Sequence, residues 1–147
     1  GLDVVDMDGD GDLDVLSTSE VGSSVCFHEN TGSGSFSQPV IITNRANGVN
    51  LVTTIDMDGD GDIDAVVTKN GHDGSGYSNI VWLNDGGGNF TDSGINFGES
   101  WSYGIALGDL DGDGDFDLLG PAANGHFQHA ENIGTPFLPA FGPISII

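Results

Sequence analysis

The residues with the clearest chemistry are fifteen aspartates in three nine-residue segments. They read Asp6-Met7-Asp8-Gly9-Asp10-Gly11-Asp12-Leu13-Asp14, Asp56-Met57-Asp58-Gly59-Asp60-Gly61-Asp62-Ile63-Asp64 and Asp109-Leu110-Asp111-Gly112-Asp113-Gly114-Asp115-Phe116-Asp117. Aspartate fills alternate positions, and glycine fills the fourth and sixth. Two unit charges about 4 Å apart in a partly screened site repel by about 4 kcal/mol. Five carboxylates in one turn therefore call for a cation. Oxygen ligands in a flexible loop suit calcium, which takes about six to eight of them, whereas magnesium keeps much of its water. The segments read as calcium loops, about three ions per chain. An EF-hand would also need a glutamate at position twelve and flanking helices. Position twelve is Ser17, Val67 or Gly120, and the flanks look like strands.

The loops start at positions 6, 56 and 109, a period of 50 and then 53 residues. A period near 40 to 50 points to propeller blades or other stacked arrays. The similarity extends past the loops. Apolar stretches precede them (Leu2 to Val5, Val49 to Ile55, Tyr103 to Leu107) and follow them (Val15-Leu16, Ala65-Val66-Val67, Leu118-Leu119). A third set follows at Val25-Cys26-Phe27, Ile80 to Leu83 and Phe127 to Ala130. Then come asparagine, a glycine turn and an aromatic, over Asn30 to Phe36, Asn84 to Phe90 and Asn132 to Phe137. A fourth apolar set closes each unit at Val40 to Ile42, Ile95 to Phe97 and Ile144 to Ile147. Short β-branched runs bounded by Gly, Asn and Ser are strands. Asn47-Gly48, Asn70-Gly71 and Asn124-Gly125 add tight-turn signals. No stretch keeps helical periodicity over ten residues. The expected fold is all-β, with three four-stranded antiparallel propeller blades over approximately 1–47, 48–98 and 99–147. Each loop joins the first and second strands of its blade. Prolines 136, 139 and 143 confine the end of the third blade to an edge strand or an irregular path.

The aspartate loops, the strands after them and the Glu29 to Phe36 segment resemble FG-GAP/VCBS-type repeats. Such repeats build the calcium-binding β-propellers of integrin α-chains and many secreted bacterial proteins. The resemblance implies side-chain ligands at Asp6, Asp8, Asp10 and Asp14; at Asp56, Asp58, Asp60 and Asp64; and at Asp109, Asp111, Asp113 and Asp117. It implies carbonyl ligands at Asp12, Asp62 and Asp115, with water completing each shell. Family propellers usually carry six to eight blades in one chain. Three blades make an open arc with two raw end faces, which a soluble monomer rarely exposes. Two chains joining head to tail as a homodimer would close a six-bladed ring. Otherwise, the remaining blades of a larger propeller cover the faces.

Composition narrows the partners. The chain has 147 residues, 23 acids and two basic residues, for a net charge of −21. Such a chain lacks the basic footprint needed for nucleic acid or anionic lipid, and no apolar run is long enough for membrane insertion as a helix. No nucleophile elbow, zinc-protease helix or phosphate loop occurs, so we expect no enzyme. Glu29 and Glu131 share one repeat slot, filled in the second blade by Leu83. That equivalence argues against an acid/base pair. His126 and His129 sit three apart on a strand and cannot chelate one metal together. His28 shares a slot with Trp82 and Ala130, which reads as packing or surface. The single Cys26 reads as a small buried residue beside Phe27.

The candidate ligand-binding face lies opposite the aspartate loops, although a plain glycine-rich connector beside core aromatics is the favoured reading of the same residues. The long connection Lys69 to Asn79 lies there, with Trp101 and Tyr103 near it. Aromatic, amide and acidic groups together suit a sugar or a peptide. The reading is a calcium-stabilised, non-enzymatic binding or adhesion module, secreted or cell-surface, with a carbohydrate or protein ligand. Millimolar extracellular calcium suits weak modular sites. The alternative is part of a carbohydrate-active enzyme, because some polysaccharide lyases resemble this repeat architecture.

Overall fold

The computed structural model describes residues 1–44, 46–69, 79–97, 104–121, 126–134, 140–142 and 145–146. Asn70-Gly71, Asn124-Gly125, most of the Lys69 to Asn79 connection, Trp101, Tyr103 and the prolines at 136, 139 and 143 lie outside these residues. The fold class is the expected all-β propeller architecture, built from three four-stranded antiparallel sheets.

Blade one contains β1 (Leu2–Val5), β2 (Asp14–Ser19), β3 (Ser24–His28) and β4 (Val40–Thr43). Blade two contains β5 (Val49–Ile55), β6 (Asp64–Lys69), β7 (Asn79–Asn84) and β8 (Phe90–Phe97). Blade three contains β9 (Ala106–Gly108), β10 (Asp117–Pro121), β11 (Phe127–Ala130) and β12 (Ser145–Ile146). Strands pair in chain order within every blade. Each aspartate loop therefore spans the first turn of its blade, from β1 to β2, β5 to β6 and β9 to β10.

Successive side chains on a strand point to opposite faces, so a blade with two neighbours must be apolar on both. β6 shows this. It is buried along its whole length, with Ala65 and Val67 turned into one core and Val66 into the next. The first core joins Leu16, Val25 and Phe27 of blade one to Val52, Ala65 and Val67 of blade two. Phe27 meets Phe90 edge to face across this seam, with ring centroids 6.1 Å apart. The second core joins Val66 and Val81 to Leu118 and Ala130 of blade three.

Strand details differ from expectation in places. β8 begins at Phe90 rather than near Ile95. A register shift between Ile80 and Trp82 and a left-handed Gly94 (φ 74°) carry the ladder through Thr91-Asp92-Ser93-Gly94. Those polar residues conceal the strand from a hydrophobic pattern. β9 lies closer to its loop than the apolar stretch suggested. Cys26 is half-buried rather than fully buried. It pairs with Ser17 on the face of blade one turned away from blade two, while its neighbours Val25 and Phe27 fill the seam.

Candidate metal centres

The three loops share one backbone path. The fourth and sixth residues are in the left-handed region, with φ of 74° and 95° at Gly9 and Gly11, 74° and 98° at Gly59 and Gly61, and 84° and 99° at Gly112 and Gly114. A side chain at either position would be strained, which is why glycine recurs there. This path turns backbone N–H groups toward the carboxylates. Asp6 accepts from Gly9 and Gly11, Asp56 from Gly59 and Gly61, and Asp109 from Gly112 and Gly114, at 2.6–3.2 Å. The aspartates at positions three and five each accept from the N–H two residues on: Asp8 from Asp10, Asp10 from Asp12, and likewise in the other two loops.

The aspartate at position nine anchors the loop to the blade. Asp14, Asp64 and Asp117 are 0%, 0% and 1% exposed. One oxygen of each accepts from the loop's second residue, Met7, Met57 or Leu110, at 2.8–2.9 Å. The other accepts from Asn30, Asn84 or Asn132, at or just beyond the end of the third strand, at 2.7–2.9 Å. These asparagines were legible only as the start of a glycine turn. Asn84 and Asn132 are buried. The Asn30 and Asn84 amides donate to the loop carbonyls of Leu13 and Ile63. Recurrence at one slot in all three repeats was the available signal for them.

Carboxylate oxygens come together in each loop. Asp6, Asp8 and Asp10 each offer an oxygen within 4.8 Å of the others, as do Asp56, Asp58 and Asp64, and Asp109, Asp111 and Asp117. Each carboxylate oxygen has two lone pairs, so one that accepts an N–H retains another for a cation. The donor set is all oxygen and fits a hard divalent ion. The aspartates at position seven play a different part. The Asp12 and Asp62 side chains lie against Gly32 and Gly86 in the neighbouring turn of the same blade.

Electrostatics match this geometry. Burial pushes the Asp64 carboxyl up to about 6. Hydrogen bonds from Asn84 and Met57 oppose that shift, and the Asp58 and Asp60 charges add to it. Asp8 and Asp58 are also raised, chiefly by burial and then by neighbouring carboxylates. Asp85, in the exposed glycine turn, is lowered by hydrogen bonds from Gly87 and Asn89.

Of the other candidates, His129 borders the third centre. Ser17 Oγ and His28 Nε2 are 2.9 Å apart on the outer face of blade one. His129 Nε2 is buried 3.9 Å from Asp117 Oδ2, while His126 is exposed. Glu29 is half-buried and Glu131 exposed. At the base of the long connection in blade two, the Lys69 N–H donates to the Asn79 side chain at 3.0 Å. Among the described residues, no helix is long and apolar enough to cross a membrane.

The sequence matches the family described as FG-GAP-like repeat twice, over residues 6–67 and 56–120. Each match runs from one aspartate loop through the next loop and into the strand after it. No curated protein matches the chain. A solved structure is described as the basis of specific recognition of non-reducing terminal N-acetylglucosamine by an Agrocybe aegerita lectin. It aligns with TM-score 0.65 and 22% identity, covering 99% of this chain and 37% of that one. The likeness concerns fold, and the chain spans little more than a third of that protein's length. The two family matches overlap and together cover most of the sequence, and on that basis the chain belongs to the FG-GAP-like repeat family.

Proposed function

We propose that the chain is a calcium-stabilised, non-enzymatic binding module of an extracellular β-propeller. The observation that carries this reading is the gathering of three carboxylates in each of three loops that share one backbone path. Calcium is the cation because the donors are all oxygen and the loops are exposed and glycine-rich. The ions are structural on this reading: four aspartate side chains and a carbonyl per loop, as the resemblance implies, would leave few positions for a ligand in a shell of about six to eight oxygens. Calorimetric titration with calcium and with magnesium tests the assignment. Three calcium sites are expected, and preference for magnesium would overturn it.

The ligand we propose is a glycan first and a protein second. Support comes from the Agrocybe aegerita lectin, a carbohydrate-recognising protein of the same fold. Binding of N-acetylglucosamine-terminated glycans without turnover is the expected result on a glycan array. Release of unsaturated sugars would instead make the chain part of a polysaccharide-lyase-like enzyme.

The end faces bear on assembly. Leu2, Val4 and Ile41 are exposed on blade one, and Phe127 is exposed on blade three. Leu119, Pro121 and Phe127 line an apolar cavity of about 410 Å³ there. Faces in the same positions are buried at both internal seams. We propose that a second copy covers them, head to tail, in a six-bladed ring. Light scattering in calcium should give about twice 15.1 kDa. A monomer would assign these faces to further blades of a longer propeller.

A further inference from the structure

The first two aspartate loops belong to different blades, yet one side chain touches both. Asn84 is 4% exposed at the end of β7. Its backbone N–H donates to Asp64 Oδ1 at 2.8 Å, and its side-chain amide donates to the Ile63 carbonyl at 3.0 Å. These contacts hold the loop of its own blade. The same amide also donates to the Met7 carbonyl at 2.8 Å, across the seam and 77 residues away in sequence. Met7 lies between Asp6 and Asp8, and its own N–H is held by Asp14. The amide oxygen of Asn84 accepts from Gly88 at 3.1 Å, which fixes its orientation. Gly88 in turn lies so close to the Phe27 ring of blade one that a Cβ there would come within 2.6 Å of it. The path Asp14, Met7, Asn84, Asp64 is thus continuous, buried and made of directional bonds.

Burial at the seam follows the same logic. Met7 and Met57, in the second position of loops covered by a following blade, are 2% and 3% exposed. Leu110, at that position in the third loop, is 51% exposed. The following blade therefore packs directly on the loop before it.

We infer that Asn84 is a positioning residue that couples cation binding in the loop at 6–14 to cation binding in the loop at 56–64. The inference rests on the calcium reading of those loops. A cation on Asp6 and Asp8 fixes the peptide between them and so aims the Met7 carbonyl at Asn84. A fixed Asn84 holds Ile63 and Asp64 in place for the second ion. Coupling of this kind is reciprocal: each ion raises the affinity for the other by the same factor.

The test titrates calcium calorimetrically into a chain whose third loop is disabled by Asp109→Asn and Asp111→Asn. Loop one is then disabled by Asp6→Asn and Asp8→Asn, or loop two by Asp56→Asn and Asp58→Asn. Disabling either loop should weaken the other by roughly fivefold or more, equally in both directions. With Asn84→Ala the second loop binds more weakly, and this ratio falls to one. Asn84→Asp keeps the acceptor for Gly88 and loses both N–H donors, so it should abolish the ratio as well, with circular dichroism confirming the fold. Asn30→Ala removes the within-blade contact to Leu13, so it should weaken loop one and leave the ratio intact. Through-space charge coupling would survive Asn84→Ala and fade with salt. A ratio of one in the parent chain, or one that persists in Asn84→Ala, overturns the inference while leaving calcium binding intact. Absence of any binding heat overturns the calcium reading and the inference with it.

Discussion

Asp64 concentrates the physical demands on a single side chain. It is fully buried, accepts two backbone N–H bonds and belongs to a carboxylate cluster. Asp64→Ala leaves the Met57 and Asn84 N–H groups without partners, at about 1–3 kcal/mol each. Urea denaturation should show a loss of roughly 2–6 kcal/mol in the metal-free chain. Asp60→Asn, on an exposed residue, should change metal-free stability by less than about 0.5 kcal/mol. The sign of the pH effect follows from the raised pKa. A carboxyl held near 6, against an ordinary 3.8, favours the folded state when protonated. Its stabilising contribution is complete below the ordinary value and disappears as pH rises through about 6. In chelator, the melting temperature should therefore rise as pH falls from 7 toward 5. With calcium the order reverses, because the ion competes with that proton and binds more weakly at low pH. Melting curves at both pH values, with and without calcium, read all four states. At this scale the loops were legible in the sequence, because residue type and spacing define them, whereas which three carboxylates converge in each loop was not. Nor was the Asn84 to Met7 bond, since no local pattern records which carbonyl lies across a seam.

At the scale of elements, the seam between blades one and two is closely packed around Phe27. Gly88 has φ 74° and faces the Phe27 ring, which is itself packed edge to face on Phe90. Gly88→Ala adds left-handed strain of roughly 1–2 kcal/mol and drives a methyl into the ring. Phe27→Ala alone should cost about 3–5 kcal/mol. The double variant should be less destabilised than the sum of the two, because removing the ring makes room for the methyl. Strict additivity in a double-mutant cycle would show that the two residues do not press on each other. Strand existence was legible throughout, since apolar runs and turn residues agree. Strand limits were less so. β8 runs through polar residues because a bulge and Gly94 redirect the ladder, and β9 is short because the loop takes over at Asp109.

For the whole molecule, charge and blade stacking oppose each other. The net charge is −21, most of it in the loops. Three calcium ions would reduce it to about −15. A ligand at about 100 times its dissociation constant stabilises by about 2.7 kcal/mol, so three ions contribute roughly 8 kcal/mol. A domain's entire stability is about 5–15 kcal/mol. Chelation should therefore lower the melting temperature steeply and unfold part of the chain at room temperature. An unchanged melt in EDTA would show that the loops stand without ions. The stacking order was legible from the repeat period. Which face of each blade meets its neighbour required the strand register.

The half-buried thiol of Cys26 gives this molecule a built-in gauge. It lies on the outer face of blade one beside the Ser17 and His28 pair, away from the seam with blade two. As the sole cysteine of the sequence, it makes any alkylation signal unambiguous. A maleimide dye would react with it when that face is bare and be shut out when another sheet lies over it. The labelling half-time, followed as protein concentration or calcium is varied, would convert an assembly equilibrium into a fluorescence clock read at one atom.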